Sequence, residues 1–249
     1  MGIKWRVIVP MFIHLLCSVT DSTGGGTVHD ARTTEGKAVN TKSVRQVTGN
    51  KSKLVIIGAS YARGWTDFSP AKFTVVNKGR SGEQSFEMLA RFRKDVIDER
   101  PEVVIIWGFI NDIFGSSPEV IDPTLERSRK NIIEMVDLAR SNGIKPVLAT
   151  EVTIREKEGI METIASWIGR IKGAESYQDY VNKYVLQTNH WIRGYAREQG
   201  IPLLDFQPLL VDGKGRRKKE YATEDGSHLS AAAYARLSEY ADKHMSGGL

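Results

Sequence analysis

The sequence contains very little cysteine and no apolar run long enough to cross a membrane comfortably. Cys17 is the single cysteine in 249 residues, so no intramolecular disulfide can form and stability must come from packing. The apolar run at residues 7–17 is shorter than the roughly 20 residues that a transmembrane helix needs. We find no zinc-ligand spacing, no RNP-like aromatic motif and no long basic helix. We therefore expect no metal ion, no cofactor and no nucleic acid as a partner.

The composition is that of one globular domain. With 41% hydrophobic and 26% charged residues, the chain can bury a full core and is neither collagenous, repetitive nor globally disordered. The formal net charge of +5 favours anionic surfaces or substrates as partners without requiring them.

Residues 1–20 have the pattern of an export signal. Lys4 and Arg6 precede the apolar run, and small residues follow it. A cleaved signal peptide and a retained membrane anchor are both compatible with this pattern, so we expect an exported protein, periplasmic or secreted. Cys17 adds the alternative of lipid attachment, although Leu16 stands where a small residue would be expected. Residues 21–50 are polar and rich in Gly, Thr and Ser, which predicts a flexible linker before a folded domain at 51–249.

Within that domain, short apolar runs rich in β-branched residues alternate with helical patterns. The predicted strands are 55–57, 73–76, 103–107, 146–149 and 201–206, and the predicted helices are 84–100, 123–142, 177–200 and 230–245. Asp122 is the predicted N-cap of the second helix, with Pro123 at its first position. This alternation predicts an α/β fold, a three-layer sandwich with a five-stranded parallel sheet flanked by helices.

Three residues have the chemistry of a serine hydrolase. Ser60 follows the first predicted strand, where ligands of such sheets bind, and Asp225 and His228 lie three residues apart near the end of the chain. A serine hydroxyl needs an adjacent base to remove its proton, and a carboxylate on the other ring nitrogen fixes the tautomer of that base. Taken alone, Ser60 is as well explained by helix capping. The joint occurrence of the three favours catalysis.

Four blocks in the same order resemble the SGNH hydrolases, the GDSL-type esterases and lipases. They are GAS at 58–60, VNKGRSG at 76–82, WGFIND at 107–112 and DGSH at 225–228. The resemblance implies the flavodoxin-like SGNH hydrolase fold, with Ser60 as nucleophile, His228 as general base and then acid, and Asp225 orienting the imidazole. It also implies an oxyanion hole made by the backbone N–H groups of Ser60 and Gly82 and the side-chain amide of Asn111.

The sequence departs from the family pattern at two places and leaves one choice open. Ala59 replaces the aspartate before the serine. The third block has one extra residue before Asn111, so either Phe109 takes the place of a glycine or the turn is bulged. Gly79 is the alternative to Gly82 as backbone donor.

Two further segments bear on the substrate. Residues 153–178 carry an apolar stripe at helical spacing, which either forms a lid or acyl-binding wall over Ser60 or packs on the domain: Ile160, Met161, Ile164, Trp167, Ile168 and Ile171. The basic run at 214–219 is either a solvated loop or a contact for anionic substrates: Lys214, Arg216, Arg217, Lys218 and Lys219.

Together these segments favour hydrolysis of lipid-like acyl esters or thioesters through an acyl-enzyme, as in an esterase or lysophospholipase. The alternatives are a polysaccharide O-acetyl esterase, an acyltransferase, and a secreted module that binds glycan or lipid without turnover.

Overall fold

A computed structural model describes residues 51–155 and 176–246 of the chain. Its strands form one all-parallel sheet in the order β2-β1-β3-β4-β5. They are β1 (Ser52–Gly58), β2 (Phe73–Gly79), β3 (Val103–Trp107), β4 (Lys145–Ala149) and β5 (Leu203–Leu204). All five predicted strands are confirmed, β1 and β2 being longer than predicted and β5 shorter. The inner strands β1 and β3 carry buried β-branched and leucine side chains on both faces, as a sheet covered by two layers of helices requires.

Helices flank the sheet. They are α1 (Ser60–Gly64), α2 (Ser85–Ala90), α3 (Ile110–Phe114), α4 (Ile121–Ser141), α5 (Tyr177–Gln199) and α6 (Ala231–Ser246). The predicted helices at 177–200 and 230–245 are confirmed within one residue at each end. Gly200 closes α5 in the left-handed conformation that glycine adopts without strain. The α/β fold with a five-stranded parallel sheet is therefore as predicted.

Two helix predictions are wrong in detail. The single helix predicted at 84–100 is divided into α2 and a π-helical turn, Arg93–Ile97. The division falls at Arg91, whose buried guanidinium turns inward to Glu83 and Asp95. Asp122 is not an N-cap, because α4 begins one residue earlier at the buried Ile121.

The carboxyl ends of three adjacent strands lie level with one another. Gly58, the last residue of β1, pairs with Gly79 of β2 on one side and with Trp107 of β3 on the other. A Cβ on Gly79 would lie 2.1 Å from the backbone nitrogen of Arg63, so only glycine allows β2 to approach α1 this closely. The segments that leave β1, β2 and β3 therefore emerge side by side, and they carry three of the four sequence blocks.

Several predictions fall outside the described residues. These are the export signal at 1–20, the linker at 21–50 and the apolar stripe within 153–178. Among the described helices, none combines the length and apolar character needed to cross a membrane. In the same part of the chain, no three histidine, cysteine, aspartate or glutamate residues are grouped as metal ligands would be.

Candidate active site

The candidate nucleophile lies at the carboxyl end of β1, where the chain turns into α1. Ser60 is the first helical residue and partly exposed, and the N-cap is Ala59, which makes no side-chain hydrogen bond. Ser60 therefore does not serve as the N-cap, which removes the capping explanation of this serine. Its backbone N–H belongs to the first turn, where amides have no intrahelical acceptor and are free to bind an anion.

Asp225 and His228 form a hydrogen-bonded pair on a loop before α6. The distance from Asp225 Oδ2 to His228 Nδ1 is 2.6 Å, and both side chains are about 50% exposed. Asp225 Oδ1 also accepts hydrogen bonds from the backbone N–H groups of Ser227 and His228 and from the hydroxyl of Thr223. Burial opposes ionisation of Asp225, but these bonds outweigh it and hold the pKa of Asp225 well below its usual range. The carboxylate thus stays charged and directs Nε2 of His228 away from itself.

Contacts between neighbouring residues bring these two stretches together, although they are far apart in the chain. Tyr61, the residue after Ser60, donates its hydroxyl to the carbonyl oxygen of Ser227, the residue before His228, at 2.6 Å. The structure therefore places the turn that carries Ser60 against the loop that carries Asp225 and His228. The bond from Asp225 to Nδ1 of His228 is the contact by which a carboxylate orients an imidazole base.

Asn111 lies in the first turn of α3, beside the loop that contains Gly82. Its side-chain Nδ2 donates a hydrogen bond of 2.8 Å to the carbonyl oxygen of Glu83. An amide nitrogen carries two hydrogens, so this bond fixes the orientation of the side chain and leaves one donor for a ligand. Phe109 of the third block is buried and forms the N-cap of α3.

The two glycine candidates have different environments. The backbone N–H of Gly79 donates to Asn77 Oδ1 at 2.8 Å, so this donor is already engaged. Gly82 is exposed, has a φ of 81°, and has open space where a Cβ would lie. Of the two, Gly82 is the better placed to offer its N–H to a ligand.

Sequence reasoning missed Glu151, which follows β4 at the same edge of the sheet. Glu151 is 1% exposed, and its Oε1 accepts the backbone N–H groups of Phe109 at 3.0 Å and of Ile110 at 3.5 Å. Burial raises the pKa of Glu151 to about 7, in spite of these two hydrogen bonds. A carboxylate thus stabilises the start of α3, the helix that presents Asn111. The available signal was a glutamate two residues after an apolar strand.

Arg217 corrects one prediction about the basic run. The run was predicted to lie on the surface, and Lys214, Arg216, Lys218 and Lys219 are exposed. Arg217 is 1% exposed, and its backbone forms an isolated antiparallel bridge with Val211. Its guanidinium donates to the carbonyl oxygens of Ser227 at 3.0 Å and His228 at 2.9 Å. It is therefore part of the framework of the site and cannot contact a substrate at the surface.

The five-stranded parallel sheet, with helices on its faces and the candidate site residues at its carboxyl edge, places the protein among doubly wound α/β proteins. The chain belongs to the GDSL-like lipase/acylhydrolase family, whose model matches residues 41–236. The predicted resemblance to SGNH or GDSL hydrolases is thereby confirmed, and membership of this family implies a hydrolase.

Individual relatives support the same assignment. An uncharacterized lipoprotein of Bacillus subtilis, YqeF, is 31% identical over 152 residues, which are 59% of this chain and 60% of that protein. The match thus spans less than two thirds of this relative. A structure described as a lipolytic protein of the G-D-S-L family, from Desulfitobacterium hafniense, has a TM-score of 0.60 and 25% identity over 78% of this chain and 99% of that one. A catalytic mutant of an acetylxylan esterase from Geobacillus stearothermophilus has a TM-score of 0.58 and 18% identity over 78% of this chain and 94% of that one, which shows a common fold.

Proposed function

We propose that this protein is an exported carboxylic ester hydrolase that works through an acyl-enzyme on Ser60. The observation that carries the proposal is the 2.6 Å hydrogen bond between Asp225 and His228, on a loop bonded directly to the residue after Ser60. The contact between Tyr61 and Ser227 joins the residue after Ser60 to the residue before His228, which supports a shared role for the two side chains. Family membership supports the reaction class, since the family is one of acylhydrolases.

The proposed reaction proceeds in two half-reactions. His228 Nε2 takes the proton of the Ser60 hydroxyl as the oxygen attacks the ester carbonyl, and it then gives this proton to the leaving alcohol. Water, activated by the same imidazole, releases the acid. Asp225 keeps Nδ1 protonated and stabilises the imidazolium that forms in both steps.

The negative charge that develops on the carbonyl oxygen requires preorganised donors. We assign these to the backbone N–H groups of Ser60 and Gly82 and to the second amide hydrogen of Asn111. Loss of one such donor typically costs about 2.7–4 kcal/mol of transition-state stabilisation. The bond from Asn111 to Glu83 supports this assignment, because it holds the amide in place before a substrate arrives.

We propose an acyl ester of an amphipathic alcohol as the substrate class, as for an esterase or lysophospholipase. Asp225 and His228 are about half exposed, so a large alcohol portion can reach them from solvent. Exposed Lys214, Arg216, Lys218 and Lys219 precede this loop and would attract an anionic headgroup. A polysaccharide acetyl ester is the second candidate, because the acetylxylan esterase has the same fold and an open site admits a glycan equally well.

The test is turnover of p-nitrophenyl esters from acetyl to palmitoyl by the purified protein and its Ser60→Ala variant. Ser69→Ala is the matched control, since Ser69 is an exposed serine nearby in sequence. We expect turnover in the wild type and the control, and a loss of at least about 10⁴-fold in Ser60→Ala. The preferred chain length separates the two substrate classes. A folded wild type that turns over none of these esters contradicts the proposal and favours a transferase or a binding module.

A further inference from the structure

Arg217 is a charged side chain buried beneath the candidate active site, and all the polar partners of its terminal nitrogens belong to the framework of that site. Its Nη1 donates to the carbonyl oxygens of Ser227 and His228, and its Nη2 donates to the hydroxyl of Tyr61 and, at 3.2 Å, to the carbonyl oxygen of Val152. The guanidinium also lies 5.4 Å from the centre of the Tyr61 ring, a cation–π distance. One residue therefore binds the turn after Ser60, the loop of His228 and the segment that follows β4.

Tyr61 joins Arg217 to the loop of His228 through its hydroxyl group. Its side chain is 4% exposed, and its hydroxyl donates to Ser227 while it accepts from Arg217. A carbonyl oxygen can only accept and a guanidinium can only donate, so the single hydrogen of the phenol goes to Ser227 and its oxygen accepts from Arg217. The main chain of Tyr61 is held as well, because its carbonyl oxygen accepts from the hydroxyl of Tyr234 on α6 at 3.1 Å.

The loop that carries His228 does not need this contact to keep its own shape. Asp225 binds the backbone N–H groups of Ser227 and His228, the N–H of Thr223 donates to His228, and the bridge between Ala222 and Leu229 closes the loop. These bonds determine the internal geometry of the Asp225 and His228 pair. The bonds to Tyr61 and Arg217 act differently, because they join that loop to the turn of the nucleophile.

We propose that Arg217 and Tyr61 are positioning residues that hold His228 in register with Ser60, an inference that rests on the proposed function. The two residues touch neither the ester nor the proton in transfer. They set the distance and direction between the serine hydroxyl and the imidazole. Because a misplacement of about 1 Å can cost roughly 100-fold in rate, this role affects kcat far more than substrate binding.

The role requires arginine and not only a positive charge. The planar guanidinium donates to four acceptors from two separate nitrogens, whereas all the donors of an ammonium group are on one nitrogen. Glu151 supports the charge at this depth: burial raises the pKa of Glu151, and Arg217 lowers it. Arg217→Lys therefore preserves the charge but loses part of the geometry.

The experiment compares Arg217→Met, Arg217→Lys and Tyr61→Phe in the full chain, with p-nitrophenyl acetate as the probe. Arg236→Met is the matched control, since Arg236 is an exposed arginine on α6 that pairs at the surface with Glu239. We expect kcat of Arg217→Met to fall by about 100-fold with little change in KM, and that of Arg217→Lys to fall by an intermediate factor. Added guanidinium ion, well below denaturing concentration, should restore part of the kcat of Arg217→Met, which a role in folding alone would not predict.

Tyr61→Phe keeps the packed ring and removes only the hydroxyl, so it tests the inference even if Arg217→Met does not fold. We expect a smaller fall in kcat, and a double variant that loses less than the product of the two single losses, because both residues act on one contact. Folded variants with wild-type kcat, or a loss confined to thermal stability, overturn the inference. If the wild type turns over no ester, the proposed function itself fails; if the wild type is active and Tyr61→Phe and Arg217→Met match it, only the inference on positioning fails.

Discussion

Two carboxylates of the candidate active site, Asp225 and Glu151, show how local environment sets the pKa of a side chain. Asp225 is half exposed and accepts hydrogen bonds from backbone, hydroxyl and imidazole donors, and its pKa lies below the ordinary range. Glu151 is fully enclosed and accepts only from the amides of Phe109 and Ile110, so desolvation dominates and its pKa rises to about 7. Asp225 is thus suited to a permanent charge, whereas Glu151 titrates near neutral pH.

The first prediction concerns the effect of Glu151 on the stability of the fold. Its pKa is about 7 in the folded protein against an ordinary 4.5, so between these values the folded state binds more protons than the unfolded state. Stability from this group is complete below pH 4.5 and is lost as the pH rises through about 7. Glu151→Gln imitates the protonated form at every pH. We expect the variant to gain about 3 kcal/mol relative to the wild type between about pH 5 and about pH 8.

The measurement is the free energy of unfolding in urea for wild type and Glu151→Gln across this pH range. Glu99→Gln is the control: hydrogen bonds and charge from Lys78 and Lys53 lower the pKa of Glu99 to about 2, so its ionisation does not change in this range. Its offset from the wild type should be constant. A constant offset for Glu151→Gln as well would show that Glu151 is already ionised in the folded protein at pH 5.

At the scale of elements, the site depends on strands that end level with one another. Gly58 lies between Gly79 and Trp107, and the segments after these three positions lead to Ser60, Gly82 and Asn111. The two glycines leave room for main chain where a side chain would collide: a Cβ on Gly58 would lie 2.1 Å from the carbonyl oxygen of Trp107. Close packing of backbone, more than any side chain, therefore brings the three segments together.

We predict that Gly79→Ala destabilises the fold and displaces the turn that carries Ser60. The new methyl group would overlap the backbone of Arg63 in α1, which cannot move aside as a flexible side chain could. Overpacking of this kind costs about 1–3 kcal/mol. Gly194→Ala in α5 is the control, because nothing lies near its Cβ position and alanine in a helix should raise stability by about 0.5–1 kcal/mol. Thermal denaturation compares the two, and equal melting temperatures for Gly79→Ala and wild type would contradict the close approach.

The parts that follow from local sequence were predictable, and the parts that depend on distant contacts were not. Apolar, β-branched runs identified each strand in the described part of the chain, most clearly β1 and β3, whose buried positions need such residues whatever surrounds them. The helix predicted at 84–100 is interrupted at Arg91, whose partners include Gly58, a residue 33 positions away. Arg217 appeared as one cation in a basic run, and only the fold shows that it is turned inward to Tyr61 and the loop of His228. Periodicity carries no information on such pairings.

At the scale of the whole molecule, the positive charge bears on how the protein meets its substrate. The net charge is +5, and exposed Lys214, Arg216, Lys218 and Lys219 lie on the segment before the loop of His228. An enzyme exported to the cell surface would meet anionic lipids and glycans there, and this charge would raise their local concentration. Export of the protein would therefore bring it to the anionic esters that the proposed substrate class contains.

We predict that residues 1–20 direct export. The cationic start and the apolar run at 7–17 have the features of an export signal, and the relative from Bacillus subtilis is named a lipoprotein. The measurement is fractionation of a bacterial host that expresses the full chain, a chain without residues 1–20, or a chain without residues 21–40 as a control of equal length. Only the deletion of residues 1–20 should leave the protein in the cytoplasm, and the kcat of this shortened protein after purification should equal that of the exported form.

The Cys17→Ser variant then distinguishes a lipid anchor from the apolar segment. Release of the variant from the membrane fraction indicates lipid on Cys17, and an unchanged distribution indicates cleavage or retention of the apolar segment itself. Export of the chain without residues 1–20 would contradict the prediction.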